Sequence, residues 1–212
     1  LLGALAFLAV LLAAEARANE GVYVASSLGA VIPEDAEIPN EVNDAKFSFE
    51  TGIGGELALG YAFADGFRAE LSAGFLNAEL DEIESSSRSV GIDGSLWTVE
   101  GFVTGYYDFR PSRLGASDLE GLALFAGVGV GVAYVDFDSS DVGLDADDAA
   151  LAYRMTGGVA FDVSDAVTFL VQYEYLGTDE PVLQGIEFEI AAHKALAGVR
   201  LSFPAARPDS GR

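Results

Sequence analysis

Arg154, Glu174 and Lys194 alternate in sign towards the end of the chain, and Glu56, Arg68, Glu70, Glu100 and Arg200 extend them to a set of four acids and four bases. The whole chain carries 34 Asp and Glu against 11 Lys and Arg, a net charge of −23. A balanced subset within so acidic a sequence implies placement rather than scatter. Such a set supports mutual neutralisation in a dry interior. Taking one charge out of water costs roughly several kcal/mol, which only paired, hydrogen-bonded neighbours offset.

Catalytic chemistry has thinner support. The chain holds one histidine, His193, followed by Lys194-Ala195, so there is no His-x-Ser pairing. No phosphate-binding loop, metal-spaced His cluster or nucleophile elbow occurs. Gly127, Gly129 and Gly131 recur at a period of two with no helix after them, which is strand packing. Neither an enzyme nor a cofactor is expected.

The charged set requires elements that turn alternate side chains inward. Eight segments have that period: Gly21 to Val31, Gly52 to Phe63, Phe67 to Leu76, Leu96 to Phe109, Leu122 to Phe137, Leu151 to Val163, Val167 to Leu176 and Ile186 to Phe203. In the seventh, Phe169, Val171, Tyr173 and Tyr175 share one face, and Thr168, Leu170, Gln172 and Glu174 the other. In the eighth, Ala197, Val199, Leu201 and Phe203 alternate with Leu196, Gly198, Arg200 and Ser202, and His193 falls on the apolar side with Ala195 and Ala197. Strands of this kind suit hydrocarbon on one face and a packed polar interior on the other. Glu56, Glu100, Arg154, Glu174 and Lys194 stand about seven to nine residues from the short-turn ends of their strands, hence at roughly one depth.

The connections are of two kinds. Ala64-Asp65-Gly66 and Ser164-Asp165 are tight turns, whereas Ile32 to Thr51, Asn77 to Ser95, Asp138 to Ala150 and Gly177 to Gly185 are long and polar. Arg110 to Gly121 breaks this asymmetry: either that turn carries an insertion or the flanking strands run further. Tyr23, Tyr61, Phe63, Phe67, Trp97, Tyr107, Phe109, Phe161 and Phe203 stand near strand ends, where an aromatic girdle meets lipid headgroups. The fold expected is all-β, an eight-stranded antiparallel up-and-down transmembrane β-barrel with its first and last strands paired. Its bore is about wide enough for its own side chains, so the ion set would act as a plug.

Leu1 to Ala14 is almost wholly apolar and leads into Glu15-Ala16-Arg17-Ala18, which predicts cleavage between Ala18 and Asn19. The organisation expected is a signal peptide over 1–18, a barrel domain over 19–203 and a short tail over 204–212. There is no cysteine, so stability must come from the backbone hydrogen-bond ladder that closure completes. The acidity excludes nucleic acid as a partner, since its binding needs Lys and Arg to replace counterions. Acids crowd the long connections, among them Glu34, Asp35, Glu37, Asp81, Glu82, Glu84, Asp145, Asp147, Asp148, Asp179 and Glu180. No ordered calcium cage is present in them, and a solvated outer surface that an extracellular partner would meet is the expectation.

The segment Gly198-Val199-Arg200-Leu201-Ser202-Phe203 has the form of a terminal assembly signal, with Gly198, Leu201 and Phe203 as its marked positions. With Gly21-Val22-Tyr23-Val24, Tyr106-Tyr107-Asp108-Phe109 and the glycine series from Gly127 to Gly131, the chain resembles the OmpA-like and opacity-protein family of eight-stranded outer-membrane barrels. The resemblance implies the bacterial outer membrane, its lipid as surroundings, the barrel-assembly machinery as partner during biogenesis, and a structural or surface-interaction role. A monomer is expected. A narrow porin for small solutes is the transport alternative, and a soluble calycin-like barrel would need the large apolar faces turned inward.

Overall fold

The computed structural model describes residues 20–34, 36–38, 45–85, 88–91, 94–111, 119–139, 144–179, 182–183, 186–187 and 191–204. Eight strands make the wall: β1 Gly21–Pro33, β2 Gly52–Ala62, β3 Phe67–Ser85, β4 Ser95–Phe109, β5 Leu122–Ser139, β6 Leu144–Asp162, β7 Val167–Thr178 and β8 Ala191–Pro204. Each pairs antiparallel with its neighbour in sequence, and β1 pairs with β8 from Gly21↔Pro204 to Pro33↔Ala192. The sheet is therefore a closed barrel with no free edge, so every wall strand has a ladder on both sides.

Alternation sets the faces. Along β4, Leu96, Thr98, Glu100, Phe102, Thr104, Tyr106 and Asp108 are buried while Trp97, Val99, Val103, Tyr107 and Phe109 are exposed. Leu57, Val128, Val130, Leu151 and Val171 stand outward in the same way on other strands. Large apolar side chains on the outside and charges within exclude the calycin-like orientation.

Two strands outrun the sequence expectation. β3 continues to Ser85 and is met by Ala45–Phe49 and by Arg88–Gly91, and β6 begins at Leu144, paired with Ser139. Segments expected to be loops are thus hairpins rising above the wall. Hydropathy reports where lipid ends, but the hydrogen-bond ladder needs only extended backbone, and Glu82-Ile83-Glu84 and Asp145-Ala146-Asp147 keep the period of two. The last strand starts later than expected, at Ala191, because Val182–Leu183 and Ile186–Glu187 pair with each other instead.

On the short-turn rim, the β2–β3 turn closes with Phe63 N–H donating to Phe67 C=O at 2.8 Å. At the β6–β7 turn, the Ser164 hydroxyl accepts from Val167 N–H at 3.2 Å. β4 stops at Phe109 and β5 starts at Leu122, so the Arg110 to Gly121 connection is an insertion. Arg110 holds its base to the wall through Asp162 at 2.6 Å.

Seven of the nine proposed girdle aromatics, Phe63, Phe67, Trp97, Tyr107, Phe109, Phe161 and Phe203, are exposed on the outer wall. Tyr23 is a correction, since it points into the bore. Tyr61 keeps the outward parity of Leu57 and Leu59 but is buried, with Phe63 packed edge-on against its ring at 5.0 Å. A strand-end position suggests a girdle, but parity decides, and Tyr23 shares its face with Ser27 and Val31.

Two apolar clusters occupy the bore. Val31, Leu76, Leu96, Phe102, Ala133, Val135, Ala152, Leu176 and Ala192 pack towards the long-connection rim, and Tyr106, Ala123, Phe125 and Ala160 with Leu170 towards the short-turn rim. Polar side chains fill the layer between them.

Candidate functional site

Arg154 on β6 is the hub of that layer, with a side chain that is 0% exposed. Its Nη1 contacts the Glu56 carboxylate from β2 and Glu174 Oε2 from β7 at 3.3 Å. Its Nη2 donates to Ser72 Oγ at 2.9 Å and Tyr106 OH at 3.4 Å and lies 3.7 Å from Glu70 Oε1, while Nε donates to Thr104 Oγ1 at 2.8 Å. The guanidinium also sits over the Phe102 ring, 4.7 Å from its centroid. One side chain thus ties β6 to β2, β3, β4 and β7 across the bore.

The glycine series on β5 makes this possible. A Cβ at Gly129 would fall 2.5 Å from Thr104 Oγ1 and 3.1 Å from Arg154 Cγ, and one at Gly127 would fall 2.3 Å from the Tyr106 ring. The bare backbone leaves the volume that the hub and its aromatic neighbour occupy.

Glu174 carries the network onward. Its Oε1 pairs with Lys194 Nζ on β8 at 3.1 Å, and Lys194 also bonds Glu100 on β4. Both members of each pair are buried, so removing one would leave an uncompensated charge. Glu100 Oε2 and the Thr98 hydroxyl, two positions apart on β4, are buried without a protein partner.

A second tier lies nearer the short turns. Arg68 Nε donates to both oxygens of Asp108 at 3.0 Å, and its Nη1 donates to Tyr23 OH at 2.9 Å. Tyr23 OH in turn donates to Glu70 Oε2 at 2.9 Å, and the Arg68 guanidinium stacks on Tyr106 at 4.4 Å. Arg200 approaches Asp108 at 3.7 Å and lies over Tyr23 at 5.5 Å. Beside it is a cavity of about 20 Å³ lined in part by Ser27, Glu56, Arg68, Gln172 and Arg200. That is room for about one water.

All eight charged residues singled out in the sequence therefore point into the bore. Glu56, Glu100, Arg154, Glu174 and Lys194 meet in the upper tier, Arg68 and Arg200 in the lower, and Glu70 touches both. Asp108 completes the lower tier and was missed, which makes, among the described residues of the network, five carboxylates against four cationic groups. It shares parity with Glu100, so the signal was present, but it stood inside a motif valued for its aromatics. The hydroxyls of Ser72, Thr104, Tyr23 and Tyr106 carry no charge to draw notice.

His193 faces outward. Its Nε2 contacts Glu34 Oε1 at 2.8 Å and its Nδ1 contacts Tyr173 OH at 2.6 Å. Gly198, Leu201 and Phe203 lie on β8 opposite Ser27, Val24 and Val22 of β1, with Leu201 and Phe203 exposed. Ala18, Asn19, Asp35 and Glu180 fall outside the described residues; Glu37, Asp81, Glu82, Glu84, Asp145, Asp147 and Asp148 lie on strands that extend beyond the expected wall, and Glu34, Glu50 and Asp179 are exposed.

Comparison with known proteins agrees with this architecture. The family described as outer membrane protein beta-barrel domain matches residues 2–203. The chain belongs to that family. Outer membrane protein OprG from Pseudomonas aeruginosa is 14% identical, with a TM-score of 0.58 over 87% of this chain and 97% of that one. Neisserial surface protein A is 17% identical, with a TM-score of 0.54 over 86% of this chain and 97% of that one. No curated protein matches in sequence. Membership of the family places the barrel in the bacterial outer membrane, with strands crossing the lipid and, among the described residues, no helix long and apolar enough to do so.

Proposed function

We propose that the protein is a structural and surface-interaction barrel, not an enzyme, whose lumen is plugged by its ion network and whose acidic outer connections meet the extracellular partner. The observation that carries this reading is Arg154, which bonds to residues on four other strands and so occupies the bore at mid-height. An apolar cluster lies on the long-connection side of that network, and on the short-turn side Tyr106 and Phe125 pack on Arg68, a poor path for a hydrated ion. The chain works as a monomer, with lipid around it and the assembly machinery engaged through the final strand.

Planar-bilayer recording tests the reading. The native barrel should show low steady conductance, and Glu174→Gln should raise it. Porin-level conductance of the native protein, or liposome swelling with small sugars, would establish the narrow-porin alternative instead.

A further inference from the structure

We infer that the lower tier binds a small monovalent anion, a halide such as chloride, in the cavity beside Arg200. The distribution of charge between the tiers leads there. Glu56, Glu100 and Glu174 share Arg154 and Lys194 in the upper tier, which leaves carboxylate in excess. In the lower tier Arg68 and Arg200 share Asp108, which leaves a cation in excess. Glu70 lies 3.7 Å from both Arg68 and Arg154 and is divided between the tiers.

Arg200 is the cation left over. Arg68 Nε donates to both oxygens of Asp108 at 3.0 Å, whereas Arg200 Nη1 stays 3.7 Å away. Among the described residues the Arg200 guanidinium makes no hydrogen bond, although the residue is buried, and its other contact is the Tyr23 ring. Buried donors without an acceptor are costly.

These donors border the cavity of about 20 Å³, where Gln172 from β7 and Ser27 from β1 join them. Both side chains are buried and likewise make no hydrogen bond among the described residues. Guanidinium, amide and hydroxyl can all donate, so together they complement an anion. Glu56 and Glu70 also border the cavity, but Arg154 holds the Glu56 carboxylate, and Tyr23 OH donates to Glu70 Oε2 at 2.9 Å. Size selects the ion. Ala25 and Ser27 stand opposite Arg200 and Gly198 in the β1–β8 ladder, and these small residues leave a space for about one water-sized particle. A halide is of that order; phosphate, sulfate and carboxylates exceed it. Phe125 and Leu170 close the wall with apolar groups, so the donors act in a dry setting, where they are strongest.

Bromide, located by its anomalous scattering, is the direct probe. Crystals of the native barrel grown in sodium bromide should show an anomalous peak within hydrogen-bond reach of Arg200, Gln172 and Ser27. In urea unfolding from vesicles at equal ionic strength, the midpoint should be higher in sodium chloride than in sodium gluconate, whose anion is too large for the cavity. That shift should saturate as chloride rises. Arg200→Met removes the cation and Ser27→Val fills the cavity with charge unchanged, and each should abolish the shift; Thr98→Val in the upper tier should keep it. Heat-modifiable gel mobility verifies that each variant is folded, and the bromide peak needs no variant. A water without anomalous signal in the cavity, bromide at the protein surface only, equal midpoints in the two salts, or a shift that survives both cavity variants would overturn the proposal. Loss of the shift in Thr98→Val would overturn it as well.

Discussion

The two tiers of the bore use the same groups for different spans. In the upper tier Arg154 reaches from β6 to β2, β3, β4 and β7, and Glu174 hands the network on to Lys194 and Glu100. In the lower tier the tightest ion pair joins Arg68 and Asp108 on the neighbouring strands β3 and β4, with the Arg68 guanidinium between the Tyr23 and Tyr106 rings, and the reach across the bore is only the longer approach of Arg200 on β8 to Asp108 at 3.7 Å. A charge that crosses a bore both fills it and fastens opposite walls, whereas one that pairs along the wall mainly stiffens an adjacent hairpin. The tiers should therefore separate conductance from stability.

The largest effect is expected from Arg154→Met, which takes from Glu56 the cation it bonds and removes one of two cations from Glu70 and Glu174. A loss of about 3–5 kcal/mol in urea unfolding from vesicles, with a rise in steady conductance, is the outcome that fits a cross-bore tie. A smaller loss, about 1–3 kcal/mol, should follow Glu174→Gln, because Lys194 keeps Glu100 and Arg154 keeps Glu56; conductance should still rise. Asp108→Asn should cost a similar or slightly smaller amount, about 1–2 kcal/mol, yet leave conductance at the native level. Equal conductance changes from Asp108→Asn and Glu174→Gln would erase the distinction between tiers. The smallest effect belongs to Thr98→Val, which removes a buried, unpartnered hydroxyl; stability should stay within about 0.5 kcal/mol of native or rise, as read from the urea midpoint.

Much of the interior was legible as parity. Arg154, Glu174 and Lys194 lie on consecutive strands with large apolar residues on the opposite face, so their inward direction follows from a period of two. Asp108 and Tyr23 obey the same rule, but Tyr23 stands near a strand end, where a girdle is expected, and Asp108 inside a motif read for its aromatics, and only the closed wall shows both bonded to Arg68. The upward reach of β3 and β6 was hidden for another reason: polar side chains mark the edge of the lipid, and the ladder continues past it.

Alternation of side chains along a strand is a property of extended backbone, so the sequence alone determined which residues face the bore, which face lipid, and that eight such strands close on themselves. It could not determine which inward residues meet at one height. That depends on how far each strand is staggered against the next as the barrel closes, and on the volume that Gly127, Gly129 and Gly131 leave open on β5. Those two features let Arg154 lie across the bore while Arg68 makes its ion pair with the adjacent strand, and only the tertiary structure holds them.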